Sequence, residues 1–115
     1  MAKDGIEIMF DCIFCKIVKK QVPSDIIKET EEILVFKDRA PKAIIHYLII
    51  PKKHIKDLSS LECNTVDLGS KIFSMAKELS EESLELKNFR LLINNGGPAG
   101  QEVFHLHVHF LAGFL

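Results

Sequence analysis

Val103-Phe104-His105-Leu106-His107-Val108-His109-Phe110-Leu111-Ala112 sets three histidines at every second position in an otherwise apolar run. Side chains alternate faces along a strand. The spacing therefore predicts a strand with three imidazoles on one side and Phe104, Leu106, Val108 and Phe110 against the core on the other. A half-buried strand whose polar face happens to hold histidine is the plainer reading, but such faces are normally built from Thr, Lys, Glu and Ser. Imidazole acts as nucleophile, proton carrier or metal ligand near neutral pH, so three on one face point to chemistry.

Upstream lies Asn94-Asn95-Gly96-Gly97-Pro98-Ala99-Gly100. Glycines permit positive φ and let backbone N–H groups approach an anion. Alone this is an ordinary hairpin turn; followed by three imidazoles it becomes a candidate phosphate cradle beside a nucleophile. Residues 89–93 predict a strand before the loop. Leu68, Ile72, Met75, Ala76 and Leu79 recur at helical spacing within a predicted helix over residues 65–83. Residues 26–30 and 33–37 are β-prone around Glu31-Glu32, and residues 44–50 form a third run between Pro41 and Pro51. Ile13, Phe14, Ile17 and Val18 mark a short helix over residues 12–20, with Asp11 as N-cap and Pro23 as its stop. Helix, three strands, long helix, two strands is an order without regular βα alternation. It predicts an α+β domain on a five-stranded antiparallel sheet.

With 115 residues, 47% hydrophobic, the chain predicts one domain with a limited core that a metal or a dimer interface would help to stabilise. Fifteen basic and 16 acidic residues give a net charge of −1, which provides no global field for nucleic acid or an anionic membrane. The opening residues lack the apolar stretch of a signal peptide or membrane helix, and three cysteines then suit a reducing, cytoplasmic setting without structural disulfides. Residues 1–8 read as an N-terminal extension, open to being disordered, with Met9 as an alternative start and the domain over residues 9–115. Cys12 and Cys15 form a Cys-x-x-Cys, half of a tetrahedral zinc site; reduced cysteines packed as small apolar groups are the alternative. Cys63 has no partner motif, and His54, after two lysines, is expected on the solvated surface.

The segment from Gly100, Gln101 and Glu102 through His109 resembles the histidine-triad (HIT) signature, His-φ-His-φ-His-φ-φ with φ apolar. Cys12-Ile13-Phe14-Cys15-Lys16-Ile17 with Pro23 resembles an earlier block of the family. So do Phe36-Lys37-Asp38-Arg39-Ala40-Pro41 and His46-Tyr47-Leu48-Ile49-Ile50-Pro51-Lys52-Lys53-His54, in the right order. The nearest branch by this resemblance is the histidine-triad nucleotide-binding (Hint) proteins, homodimeric purine nucleoside phosphoramidate hydrolases.

The resemblance implies a HIT-like fold whose sheet extends across a homodimer, and hydrolysis of a nucleoside phosphoramidate or AMP ester through a nucleotidyl-histidine intermediate. His107 would be the nucleophile, His109 a donor to phosphate oxygen, and Glu102 the residue where many eukaryotic relatives have a serine that assists the leaving amine. Asp38 would take the ribose hydroxyls, although an Asp before a Pro-containing loop also suits a turn. Asn94, Gly100 and Gln101 would lie at the phosphate, and Ile13, Phe14, Ile17, Val22 and Phe36 would hold the purine. Zinc-bearing relatives imply that His46 and His105 complete a structural site with Cys12 and Cys15; no organic cofactor, nucleic acid or membrane partner is implied. The chain ends six residues past His109, short of the tail such relatives carry. Dinucleoside polyphosphate hydrolysis of the Fhit type is the alternative activity. A non-catalytic nucleotide- or metal-binding module, in which three imidazoles make an open metal site, is the alternative class.

Overall fold

The computed structural model describes residues 11–114, so the expected extension at residues 1–8 lies outside the described residues. Helix α1 (Ile13–Val18) is followed by strands β1 (Ile26–Glu29), β2 (Ile33–Lys37) and β3 (Ile45–Pro51). Helix α2 (Asp67–Ser80) and strands β4 (Phe89–Leu92) and β5 (Val108–Ala112) complete the chain. The strands form one sheet in the order β1-β2-β3-β5-β4, antiparallel at every pairing. The expected α+β architecture is the one observed.

Period-two alternation divides the sheet into two faces. Ile33, Val35, Ile49, Val108, Phe110 and Ala112 pack against Ile72, Met75, Ala76 and Leu79 of α2. The apolar stripe of α2 is thus covered by its own sheet. On the opposite face Leu34, Phe36, Leu48 and Ile50 pack against Phe14, Ile17 and Val18 of α1. A six-residue helix covers only part of that face. The rest is left open around His46 of β3 and His109 of β5, and there the cleft lies. Among the described residues no helix is long and apolar enough to cross a membrane.

Three local details differ from the expectations. The N-cap of α1 is Cys12 rather than Asp11, its Sγ accepting the Cys15 N–H. The helix ends before Pro23: Lys20, at φ 63°, occupies the left-handed position, with the Lys20 and Gln21 N–H groups bonded to the Ile17 and Lys16 carbonyls. The histidine strand is also half its expected length, because residues 103–107 leave the sheet. The Leu106 N–H donates to the Ile55 carbonyl at 2.6 Å instead of to a strand partner.

Candidate active site and metal centre

The cleft on the open face has a volume of roughly 630 Å³. Its apolar wall comes from Ile13, Phe14 and Ile17 of α1, Phe36 of β2 and Leu48 of β3; Asp38 lies at its edge, and Asn94, Gly100, Glu102, His107 and His109 line the other end. Two expected ligand-binding residues are elsewhere. Val22 packs behind the wall, against the α1 cluster. Gln101 is only 4% exposed, beneath the loop: its Oε1 accepts the Gly96 N–H at 2.7 Å, and its Nε2 donates to the carbonyls of Lys56 at 2.9 Å and Val103 at 3.1 Å. Those bonds occupy the amide, so Gln101 shapes the loop instead of facing a ligand. Asn95 pins the same loop to Ser59 through bonds of 3.0 Å. Gly96 and Gly100, at φ 96° and 104°, hold backbone conformations that side-chain-bearing residues rarely adopt.

Because residues 103–107 leave the strand while His109 stays on it, the three histidines go to different places. His105 is fully buried, and its Nε2–H donates to the Pro51 carbonyl at 2.8 Å, leaving Nδ1 as a lone pair. His107 donates Nδ1–H to the carbonyl of His105 at 2.7 Å, so its lone pair is on Nε2, and its ring lines the cleft. His109 is ordered through His46. The Lys42 N–H donates to Nδ1 of His46 at 3.0 Å, which puts the His46 proton on Nε2. That nitrogen lies 2.9 Å from Nδ1 of His109. Nδ1 of His109 is therefore the acceptor, and its proton is on Nε2, a buried atom without a hydrogen-bond partner among the described residues. Burial, then the neighbouring His107 and His46 rings, lowers the His109 pKa to about 4; Asp38 opposes the shift. Burial likewise lowers His46.

Asp38 has two roles. Its Oδ1 accepts the Ala40 N–H at 2.7 Å, the turn expected of an Asp at this position, while Oδ2 lies 3.4 Å from Nε2 of His46. Asp38, His46 and His109 are close enough to be considered as a metal site. The proton that Lys42 places on Nε2 of His46 argues instead for a hydrogen-bonded chain.

A different cluster has the donors of a zinc site. Ligand atoms of Cys12, Cys15, His54 and His105 all lie within 4.8 Å of one another. Nδ1 of His105 is 3.4 Å from Sγ of Cys12 and 3.6 Å from Sγ of Cys15, and Nδ1 of His54 is 3.3 Å from Sγ of Cys15. Sulfur and nitrogen on neighbouring vertices of a zinc tetrahedron are about 3.5 Å apart, given Zn–S near 2.3 Å and Zn–N near 2.0–2.1 Å. The bond to Pro51 holds the His105 tautomer that ligation needs. Burial also lowers the His105 pKa to about 4, keeping the ring neutral. The expected set is corrected at one position: His46 is committed to His109, and His54, expected on the surface, takes its place. His54 follows the last residue of β3 by three positions, where the chain turns under the triad segment, whereas His46 is on the strand itself.

Comparison with known proteins gives one consistent result. A model of the HIT domain family matches residues 19–114. An uncharacterised HIT-like protein from Synechocystis is 42% identical over 103 residues, covering 90% of each chain. A HIT family hydrolase from Clostridium thermocellum superposes with a TM-score of 0.87 at 40% identity, over 92% of this chain and 93% of that one. A zinc-bound histidine triad family protein from Mycobacterium smegmatis superposes with a TM-score of 0.78 at 32% identity, over 90% and 76%.

Proposed function

The chain belongs to the HIT domain family, and on that premise we propose that it is a purine nucleotide hydrolase of the Hint branch, cleaving nucleoside phosphoramidates or AMP esters. The observation that carries this reading is the 2.7 Å bond from Nδ1–H of His107 to the His105 carbonyl, which leaves a lone pair on Nε2 of a ring lining the cleft. In the first step that lone pair attacks the α-phosphorus, the bond to the leaving group breaks, and an N–P bond forms on His107. The departing amine or alkoxide takes its proton at the open rim, where exposed Glu102 can act through water. In the second step water attacks phosphorus and His107 is regenerated. His109, whose Nε2–H has no protein partner among the described residues, would donate it to a phosphate oxygen and stabilise charge in both steps; the Ala99, Gly100 and Gln101 N–H groups are already bonded within the loop.

The apolar wall would take the base and Oδ2 of Asp38 the ribose hydroxyls, Oδ1 being used by Ala40. Zinc held by Cys12, Cys15, His54 and His105 would stabilise the fold from a closed site with no position for water. The zinc-bound Mycobacterium smegmatis relative supports this part of the reading. The thiol ligands suit a reducing, cytoplasmic setting. We further propose a homodimer in which edge strand β4, with half-exposed Leu92, pairs with a second copy; light scattering near twice 13.0 kDa is its check.

The test is turnover of adenosine 5′-phosphoramidate beside an AMP ester and a diadenosine polyphosphate. Acid-labile phosphorus should be trapped on the wild-type chain and absent from His107→Ala, which still binds AMP. Retention by His107→Ala of more than about a hundredth of kcat would reject the nucleophile. Preference for the diadenosine substrate would move the chain to the Fhit branch.

A further inference from the structure

We propose that Phe14 is a positioning residue through which the metal cluster sets the orientation of His107 and the affinity for nucleotide, so that metal and nucleotide bind with positive linkage. The ligand, though not the geometry, rests on the hydrolase reading above. Phe14 lies between Cys12 and Cys15, both of which face Nδ1 of His105. Its ring meets the His107 ring edge-on, with centroids 5.2 Å apart and planes at 89°. It also meets His105 at 5.9 Å and Phe36 at 5.4 Å, while lining the cleft beside Ile13.

A helix of six residues has little stability of its own, and Cys12 is both its N-cap and a member of the cluster. The position of Phe14 is therefore set by the two sulfurs that flank it. His107 is held from a second side by the His105 carbonyl, and the His105 ring belongs to the same cluster. These two supports of the nucleophile, and one wall of the base site, thus converge on four side chains, while a third contact, the His109 ring at 5.0 Å, lies outside them. Ordering those side chains with a metal orders the wall and the ring together. The reverse also holds: a base lying against Phe14 favours the arrangement the ligands need, since coupling between two sites is reciprocal.

The experiment uses the full chain, zinc-loaded and after chelation. It measures AMP affinity by calorimetry and the rate of zinc release to a chromophoric chelator with and without saturating AMP. AMP should bind at least about fivefold more tightly to the zinc-loaded protein, within the usual range of coupling between sites, and zinc release should slow in the presence of AMP. Phe14→Leu should still take up zinc and should bind AMP more weakly in both forms, having lost part of the wall, but it should bring both ratios close to one. Equal AMP affinity with and without zinc, or undiminished linkage in Phe14→Leu, overturns the proposal. Should chelation unfold the chain, zinc release from the loaded protein decides alone, and no slowing by AMP overturns it. Phosphoramidate turnover without linkage defeats this proposal and leaves the hydrolase reading standing; linkage without turnover does the opposite. Failure to bind AMP or zinc at all defeats both proposals for that ligand.

Discussion

His46 and His109, 63 residues apart in sequence, meet nitrogen to nitrogen at 2.9 Å across β3 and β5. The Lys42 backbone N–H, at 3.0 Å on the far side of His46, gives that contact its direction. A main-chain donor thereby decides which nitrogen of His109 carries a proton, and it is the one without a partner among the described residues.

His46→Ala should therefore act on kcat more than on KM. Without its partner, His109 is free to take the other tautomer and present a lone pair where a donor is needed. We expect a loss in kcat for adenosine 5′-phosphoramidate of roughly ten- to a hundredfold, less than the full worth of a general acid. A rise in KM alone would show that His46 serves binding instead.

Metal content separates the two histidine clusters. Protein purified after zinc-supplemented expression should carry one equivalent of zinc by elemental analysis. Cys15→Ser and His54→Ala should each lose it, with a lowered melting temperature, whereas His46→Ala should keep it. Zinc retained by His54→Ala and lost from His46→Ala would restore the ligand set that the family resemblance alone implies.

Stability should fall in mild acid. His109 has a folded-state pKa lowered to about 4 against an ordinary value of 6.5, and His46 is lowered in the same direction. Between those limits the unfolded chain binds more protons than the folded one, so stability rises with pH through the window and is lost as pH falls from about 6.5 toward about 4. Thermal melts across that range should show a decreasing midpoint, and His109→Gln should flatten the decrease. An unchanged slope in the variant would mean that other groups set the acid limit.

Gln101→Met tests the clamp beneath the glycine loop. The substitution keeps much of the volume but leaves the Gly96 N–H and the Lys56 and Val103 carbonyls without their partner. Burying unsatisfied groups of this kind costs about 1–3 kcal/mol. A domain of this size should then melt several degrees lower, with a reduced rate on the phosphoramidate. A melting temperature within one degree of wild type, by calorimetry, would show that water replaces the amide without loss.

The apolar β-prone runs of β2 and β3, the alternation in β5, and the helical spacing of Leu68, Ile72, Met75, Ala76 and Leu79 were legible from the chain because composition and periodicity are local properties. So was the concentration of histidines beside a glycine loop. The same periodicity misjudged residues 103–107. Nothing local reveals that Leu106 bonds to Ile55, and that departure sends His105 to the cysteines and His107 to the cleft.

What the sequence by itself determined was therefore the composition of the site: three imidazoles, two thiols, an acid and a loop able to reach an anion. Tertiary structure decided the partnerships. His46 and His54 are eight positions apart and both polar in pattern, yet one joins His109 and the other Cys15, because a strand and the turn that follows it face different parts of the fold. It also decided the tautomers. The protons of His46, His105 and His107 are placed by the Lys42 N–H and the Pro51 and His105 carbonyls, backbone groups every sequence possesses and whose direction only the folded chain specifies.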